Sequence, residues 1–318
     1  MMYRSMANGA LRPSILGFGC WQLGGEYWGE TDAKAITRAI RMALDRGINL
    51  FDTAPLYGQG RADEHLSNAL ANERHNVIIA TKAGARTIDG HAQSDLSPSF
   101  LRKDVCASLK RLRIDSIPLL QVHWPCQQGT PIVETFEALS TLQSEGKIQH
   151  LGVCNYSAEA LQEITQICPI VSLQSPFSLI RREFESTLQP LCQQEGIAVL
   201  AYEGLCRGLL SGKYYHPPRF SEDDLRSRDP RFQQAWFWHT RYLLDLIAQV
   251  SVRSQIPISA LMLGWVCAQP SITSVLVGIK TQAQLEENIS ALRVVNRDKL
   301  VTVITKIANK YGGFTPRI

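Results

Sequence analysis

The chain has 318 residues, of which 45% are hydrophobic and 19% charged, and its 33 Lys and Arg against 29 Asp and Glu leave a net charge of +4. Such a composition supplies a large core and excludes a disordered chain. The basic excess is small and scattered, with short clusters only at 111–113 and 181–182, so no nucleic-acid surface is expected.

In chain order, an N-terminal stretch able to form a hairpin precedes a first apolar run, LGFGC (16–20). Thr31 is placed to cap a helix through Ile36, Ile40 and Leu44 that stops at Gly47. INLFDTA (48–54) and VIIATKAG (77–84) follow as the second and third runs. Ser97 with Pro98, and Thr130 with Pro131, each put a cap and a first-turn proline ahead of an amphipathic stretch, and these flank IPLLQVHW (117–124). Then come IQHLGVCN (148–155), a helix over 157–167, VSLQSPF (171–177), a helix over 181–195, and IAVLAYEGL (197–205). An insert of 212–256 with a helical tail, WFWHTRYLLDLIAQV, leads to a helix over 258–268 and the eighth run, SVLVGI (274–279). Helices over 281–292 and 296–310 close the chain.

Near-continuous apolar runs alternating with amphipathic stretches are the pattern of parallel strands covered on both faces. Eight such units predict one α/β domain over 1–318, a (β/α)8 TIM barrel with an N-terminal extension, an insert after strand seven and a C-terminal helix. The rival, an open doubly wound sheet, is disfavoured because no G-x-G-x-x-G turn follows the first run. The eight cysteines form no C-x-x-C pair, so no metal site is expected. The N-terminus lacks the apolar segment of a signal peptide and no apolar run is long enough to span a bilayer, so the expectation is a cytoplasmic protein with reduced thiols.

Barrel enzymes build their sites at the C-terminal ends of strands. Those ends carry Asp52, Lys82, His123, Asn155, Gln174 and Tyr202 on runs two to seven, with Tyr57 just beyond Asp52. Side-chain alternation sends Leu119, Gln121 and His123 to the barrel interior, Asp52 inward with Leu50 and Ile48, and Lys82 inward with Ala80 and Ile78. Charges converging on one barrel mouth are costly unless paired, and Asp52 is the natural counter-ion for Lys82. A cation beside a phenol lowers its pKa from about 10, so Lys82 is expected to make Tyr57 a usable proton donor. His123, neutral, would orient the same substrate oxygen. This set suits the polarisation of a carbonyl.

The segments FDTAPLYGQGRADEHL, IIATKAG, LLQVHWP, GKIQHLGVCNYS, LQSPFSLI, VLAYEGLCRGLLSGKY and VLVGIKTQAQLEENI, in this order over residues 11–292, resemble the signatures of the aldo-keto reductase superfamily. The resemblance implies a nicotinamide nucleotide cofactor, NADP with NAD as the alternative, and an NADP(H)-dependent oxidoreductase of a small carbonyl or sugar. It assigns Asp52, Tyr57, Lys82 and His123 as the catalytic tetrad. It places Asn155 and Gln174 at the nicotinamide carboxamide, with Cys154 beside them, and Tyr202 against the ring. Glu203, Leu205, Arg207, Gly208, Leu210, Ser211 and Lys213 fall on its diphosphate loop. Gly278, Lys280 and Thr281 fall at the adenosine phosphate, Gln284, Glu287 and Asn288 near the adenine, and Gly19, Cys20 and Trp21 on the first barrel loop. Lys280 at a helix start also suits a 2′-phosphate on physical grounds.

The sequence departs from the family pattern at Cys154 for Ser, at Glu203-Gly204-Leu205 for Ser-Pro-Leu, and at Val277 for Pro. Glu203 near a diphosphate would repel it unless turned away or paired with Arg207, and Gly204 is expected to make the loop pliable. Cys20, Cys154 and Cys206 would ring the cofactor mouth, where their modification would weaken binding. Trp21, Tyr27, Trp28 and Trp124 would line the substrate pocket, and WFWHTRY would either close over it or pack outside the barrel. The alternative function is a nucleotide-binding, redox-sensing regulatory subunit with little turnover. A third is an aldolase-like barrel using Lys82 as a Schiff base. Oligomeric state is left open.

Overall fold

Eight of the apolar runs join edge to edge into a closed ring in the computed structural model, which describes residues 1–28, 31–88 and 90–311. The end of the expected unit, 312–318, lies outside the described residues. The strands are β1 (Leu16–Gly19), β2 (Leu50–Asp52), β3 (Ile78–Ala83), an added pair β4 (Ala85–Ile88) and β5 (His91–Ser94), β6 (Ile117–Val122), β7 (Ile148–Cys154), β8 (Ser172–Pro176), β9 (Ala198–Tyr202) and β10 (Ser274–Gly278). Every barrel pairing is parallel, in the order β1-β10-β9-β8-β7-β6-β3-β2, and β10 returns to β1 with Leu16 opposite Val275.

The helices are α1 (Ala33–Asp45), α2 (Arg61–Leu70), α3 (Pro98–Leu112), α4 (Ile132–Ser144), α5 (Ala158–Thr165), α6 (Glu183–Thr187), α7 (Gln189–Gln194), α8 (Gln234–Ser254), α9 (Ile258–Cys267), α10 (Gln282–Ile289), α11 (Leu292–Val295) and α12 (Asp298–Tyr311). Helix α1 buries Ile36, Ala39, Ile40 and Ala43, one stripe at helical spacing. Its cap is Asp32, not Thr31, because the carboxylate accepts from the backbone N–H of Lys34 and Ala35 at 2.8 and 3.1 Å. Ser97 does occupy the cap of α3, but its hydroxyl is donated to Asp95 at 2.8 Å. Pro131, not Thr130, is the residue before α4. The helix expected over 181–195 breaks into α6 and α7 ahead of Pro190, which has no N–H to continue the ladder.

Two shells form the core. The inner one joins Leu50, Ile78, Ala80, Leu119, Ala198, Leu200 and Leu276 inside the ring, as alternation requires. Ile48, expected inward, precedes β2 and packs in the outer shell with Leu120 and Val122. The N-terminal stretch bends back through bridges Tyr3–Ser14 and Met6–Leu11, and Met6 and Leu11 join the inner shell. Arg4 fastens it by donating to the carbonyls of Cys267, Gln269 and Ile272.

Candidate active site

Parallel register brings the strand ends to one mouth: Gly19 lies opposite Asp52 and Gly278, and Cys154 opposite Gln174. There a cavity of about 1870 Å³ opens, walled among others by Trp21, Tyr57, His123, Tyr202 and Lys280. It exceeds the usual space for one small ligand.

Lys82 is 1% exposed, and its ammonium donates to both Asp52 oxygens at 2.9 and 2.7 Å and to the Thr53 carbonyl at 3.1 Å. Gln174 donates to the same carboxylate at 2.8 Å, so its amide serves this pair as well as the cavity. Burial opposes the charge on Lys82, but Asp52, Tyr57 and Cys154 together hold its pKa above the ordinary value. Behind Thr53, its hydroxyl donates to buried Asp63 at 2.8 Å, which also accepts from Arg111 at 3.0 Å.

Tyr57 sits with Lys82 Nζ 5.1 Å from its ring centroid. The expected depression of its pKa is not what the geometry gives. Burial pushes the phenol up and outweighs Lys82, whose charge is committed to Asp52, while Asp52 adds to the rise. Tyr57 is therefore a firmly protonated phenol. His123 stands edge-on to it at 6.0 Å and stacks on Trp124 at 4.0 Å. Burial and then Lys82 drive its pKa well below the ordinary value, so the imidazole is neutral as expected, and its buried Nδ1 has no protein partner.

Trp21 stacks on Tyr57 at 5.7 Å, and Trp28 meets Trp21 edge-on at 5.1 Å. Gly58, at φ +61°, permits this approach: a Cβ there would lie 2.3 Å from the Gly24 carbonyl oxygen. Arg61 donates to that same oxygen at 3.1 and 2.8 Å and pairs with Glu26, so it clasps the first loop to the tyrosine loop. Arg61 was not among the expected site residues, although it lies inside the segment quoted for the resemblance.

Asn155 is committed at both ends, donating to the His123 carbonyl at 3.1 Å and accepting from the Tyr202 hydroxyl at 2.8 Å. The Tyr202 phenol is pushed up to about 12, chiefly by burial. Glu203 neither repels nor turns away: it accepts from Arg207 at 3.0 Å, Arg181 at 2.8 Å and Arg231 at 2.9 and 3.2 Å. Burial resists ionisation there, yet Arg231 and the two other arginines bring its pKa down to about 2. Gly204 packs closely against the core: a Cβ there would come within 3.2 Å of Leu263 and 3.3 Å of Val275.

Leu205, Arg207, Gly208, Ser211, Lys213, Gly278, Gln284, Glu287 and Asn288 also line the cavity. Leu210 is buried in the core, and Thr281 is spent capping α10 by accepting from the Gln284 N–H at 3.2 Å. Glu287 accepts from Ser259, and Gln284 from the Lys280 N–H at 2.8 Å. The Lys280 ammonium donates to the Trp28 carbonyl at 2.5 Å; burial and then Arg226 lower its pKa. Cys20, Cys154 and Cys206 are fully buried, and burial raises all three thiols, Cys206 to about 11. Of the three, Cys20 lines the cavity, while Cys154 and Cys206 sit behind its wall.

Of the two placements expected for the tail of the insert, the second is the one observed. Helix α8, which carries WFWHTRY, packs on α9 and α12 outside the barrel and buries Phe237. The part that faces the cavity is Tyr214 and 220–226, tied to the first loop by the Leu225 N–H donating to the Tyr27 carbonyl at 3.1 Å. Hairpin β4–β5, not expected from the sequence, brings Thr87 and Ala92 to the opposite wall.

The residues fit a dinucleotide. Amides and an aromatic ring gather near the tetrad, while arginines and lysines line the groove beyond. In the loop after β9, Glu203, Cys206, Arg207 and Gly208 all take positive φ, and the Cys206 and Gly208 N–H groups donate back to the Glu203 and Leu205 carbonyls at 2.7 and 2.9 Å.

Comparison with known proteins agrees with this architecture. The Aldo/keto reductase family profile matches residues 15–309. Aldo-keto reductase YhdN of Bacillus subtilis (strain 168) is 38% identical over 293 residues, covering 90% of this chain and 87% of that one. The NADH-specific methylglyoxal reductase of Escherichia coli (strain K12) is 33% identical over 315 residues, covering 93% and 94%. Among solved structures, the glycerol dehydrogenase AKR11B4 from Gluconobacter oxydans superposes with a TM-score of 0.88 at 32% identity, covering 99% of this chain and 97% of that one. The chain belongs to the aldo/keto reductase family.

Proposed function

We propose that the protein interconverts a small carbonyl compound and its alcohol with NADP(H), and that Tyr57 is the general acid and base. Family membership makes it a nicotinamide-dependent oxidoreductase of carbonyl compounds; the roles of single residues are inferred from geometry. The observation that carries them is the buried Lys82–Asp52 pair, with its ammonium 5.1 Å from the Tyr57 ring centroid, beside a neutral His123.

A bound nicotinamide nucleotide supplies or accepts the hydride. The chain's own residues handle the oxygen. Tyr57 Oη holds a proton at neutral pH and gives it to the oxygen as negative charge develops there. Lys82 stabilises the phenolate left behind, and Asp52 and the Thr53 carbonyl fix the position of Lys82. His123 donates a hydrogen bond to the same oxygen without carrying charge of its own. Trp21, Trp28 and Trp124 exclude water from one side and offer flat apolar faces to a small aldehyde, ketone or sugar.

NADP is favoured over NAD because Lys280 and Lys213 reach one end of the groove, where Arg226 is paired with Asp224. The B. subtilis, E. coli and G. oxydans relatives leave the nucleotide and the substrate of this chain to direct measurement. The test is a screen of carbonyls and polyols followed by absorbance of reduced nicotinamide with both nucleotides. Tyr57→Phe should lower turnover by about 10² or more while nucleotide affinity stays unchanged. Full turnover in that variant would assign the proton to another group.

A further inference from the structure

Glu203 places a carboxylate on the groove that the proposed function assigns to a dinucleotide diphosphate, where like charge should be unwelcome. Its partners resolve the conflict. Arg181, Arg207 and Arg231 converge on its two oxygens, and Asp229 takes Arg231 at 2.6 Å and Arg207 at 3.2 Å from the other side. Three cations against two anions leave the cluster with one positive charge in excess. Both carboxylates are nearly enclosed, with side chains 10% and 3% exposed. Arg181, Glu203 and Arg207 are among the described residues that wall the cavity, whereas Arg231 is not.

The backbone is also held against its preference. Glu203, Cys206 and Arg207 are non-glycine residues at φ +59°, +45° and +57°. Such conformations are strained and persist only where the surroundings impose them, so something must hold the loop. The ion cluster does so from two directions, since Arg231 and Asp229 belong to the insert and Arg181 follows β8.

We propose that Glu203 is a positioning residue: it gathers the three arginines into a cage of fixed geometry, and the cage, through Arg207 and Arg181, receives the diphosphate of the dinucleotide. This rests on the nucleotide reading given above. The sign of one measurement separates it from simple repulsion. Glu203→Gln removes a negative charge beside an anion site and, if only net charge mattered, would tighten nucleotide binding. If Glu203 positions the arginines, the same change lets them repel one another and leaves Arg231 held by Asp229 alone, and binding weakens.

The experiment is a titration of NADPH, followed by quenching of intrinsic tryptophan fluorescence, against the wild type, Glu203→Gln, Arg231→Met and the double variant. Each single change should weaken affinity about ten-fold, the scale of one charge-assisted hydrogen bond. The double variant, which again has one cation in excess, should recover part of the loss. Adenosine 2′-monophosphate, which lacks the diphosphate, should bind all four proteins equally. Unchanged or tighter NADPH binding by Glu203→Gln, or equal losses for both probes, would overturn the cage. A wild type that binds no dinucleotide would overturn the nucleotide reading itself, and the cage with it.

Discussion

Asp52→Asn is the sharpest perturbation of the site, because it changes one charge and almost no volume. Asp52 and Lys82 are 6% and 1% exposed at their side chains, with oxygen and nitrogen 2.7 Å apart. Removing one member of such a pair leaves the other charge buried and unpaired, which costs about 3–5 kcal/mol. Thermal entropy near ~2.1 cal/mol/K per residue gives a chain this long about 0.7 kcal/mol/K, so the melting temperature should fall by about 5–7 °C. Lys82→Met should cost a similar amount by stranding Asp52. The double variant should not add these losses: the amide introduced by Asp52→Asn still accepts from Gln174, and the thioether introduced by Lys82→Met fills the space of the lysine. Replacing a buried pair outright is often near neutral. Because the Lys82 pKa is raised in the folded state, its contribution is complete below its unfolded value near ~10.4 and fades only as pH climbs through the higher folded value, so pH 7 measures all of it. The assay is thermal unfolding by circular dichroism across the four-protein cycle. Losses that add to within about 0.5 kcal/mol would refute the coupling and with it the account of why Lys82 stays charged beneath the tyrosine.

Two further outcomes follow from the same geometry. Gly58→Ala forces a Cβ to 2.3 Å from the Gly24 oxygen at a positive φ, so it should cost at least about 1 kcal/mol in thermal unfolding and lower kcat by separating Tyr57 from Trp21; wild-type kcat would show that this contact does not serve turnover. In pH profiles, Tyr57 is raised and His123 is depressed, so kcat/KM for reduction should be level between about pH 6 and 9 while oxidation climbs with pH; a single ionisation near ~8 in the reductive limb would contradict a phenol that stays protonated.

The barrel was legible in the sequence because its signals are local. Alternation alone put Lys82 and His123 inside, and the inner shell of Leu50, Ala80 and Leu119 bears that out. The Asp52–Lys82 contact followed from neighbouring strands needing charge balance. The direction of the Tyr57 pKa did not follow, because its partial burial depends on Trp21 and a loop arriving from elsewhere. Glu203 was seen as a departure and Arg207 as a partner for it, as observed, but its other partners lie at 181 and 231, and no spacing rule links an arginine in an insert to a carboxylate 28 residues earlier. Similarly, the short strands β4 and β5 carry too little apolar pattern to announce a hairpin, and strand-end position alone did not reveal that all three thiols are buried.

The joining of the chain's two ends has a consequence for how the molecule is made. Strand β1 pairs with β10, Met6 and Leu11 cork the ring that Leu276 completes, and Arg4 is fastened to carbonyls at 267, 269 and 272. Tyr3, Arg12 and Ser14 meet Gly47 and Asn49 early in the chain, but Arg4 and the β10 side of β1 find their partners only once residues 267–278 have been made. Contacts spanning that much chain make folding slow. Until β10 arrives, that edge of β1 is an unpaired strand edge, the kind of surface on which partly folded chains pair wrongly.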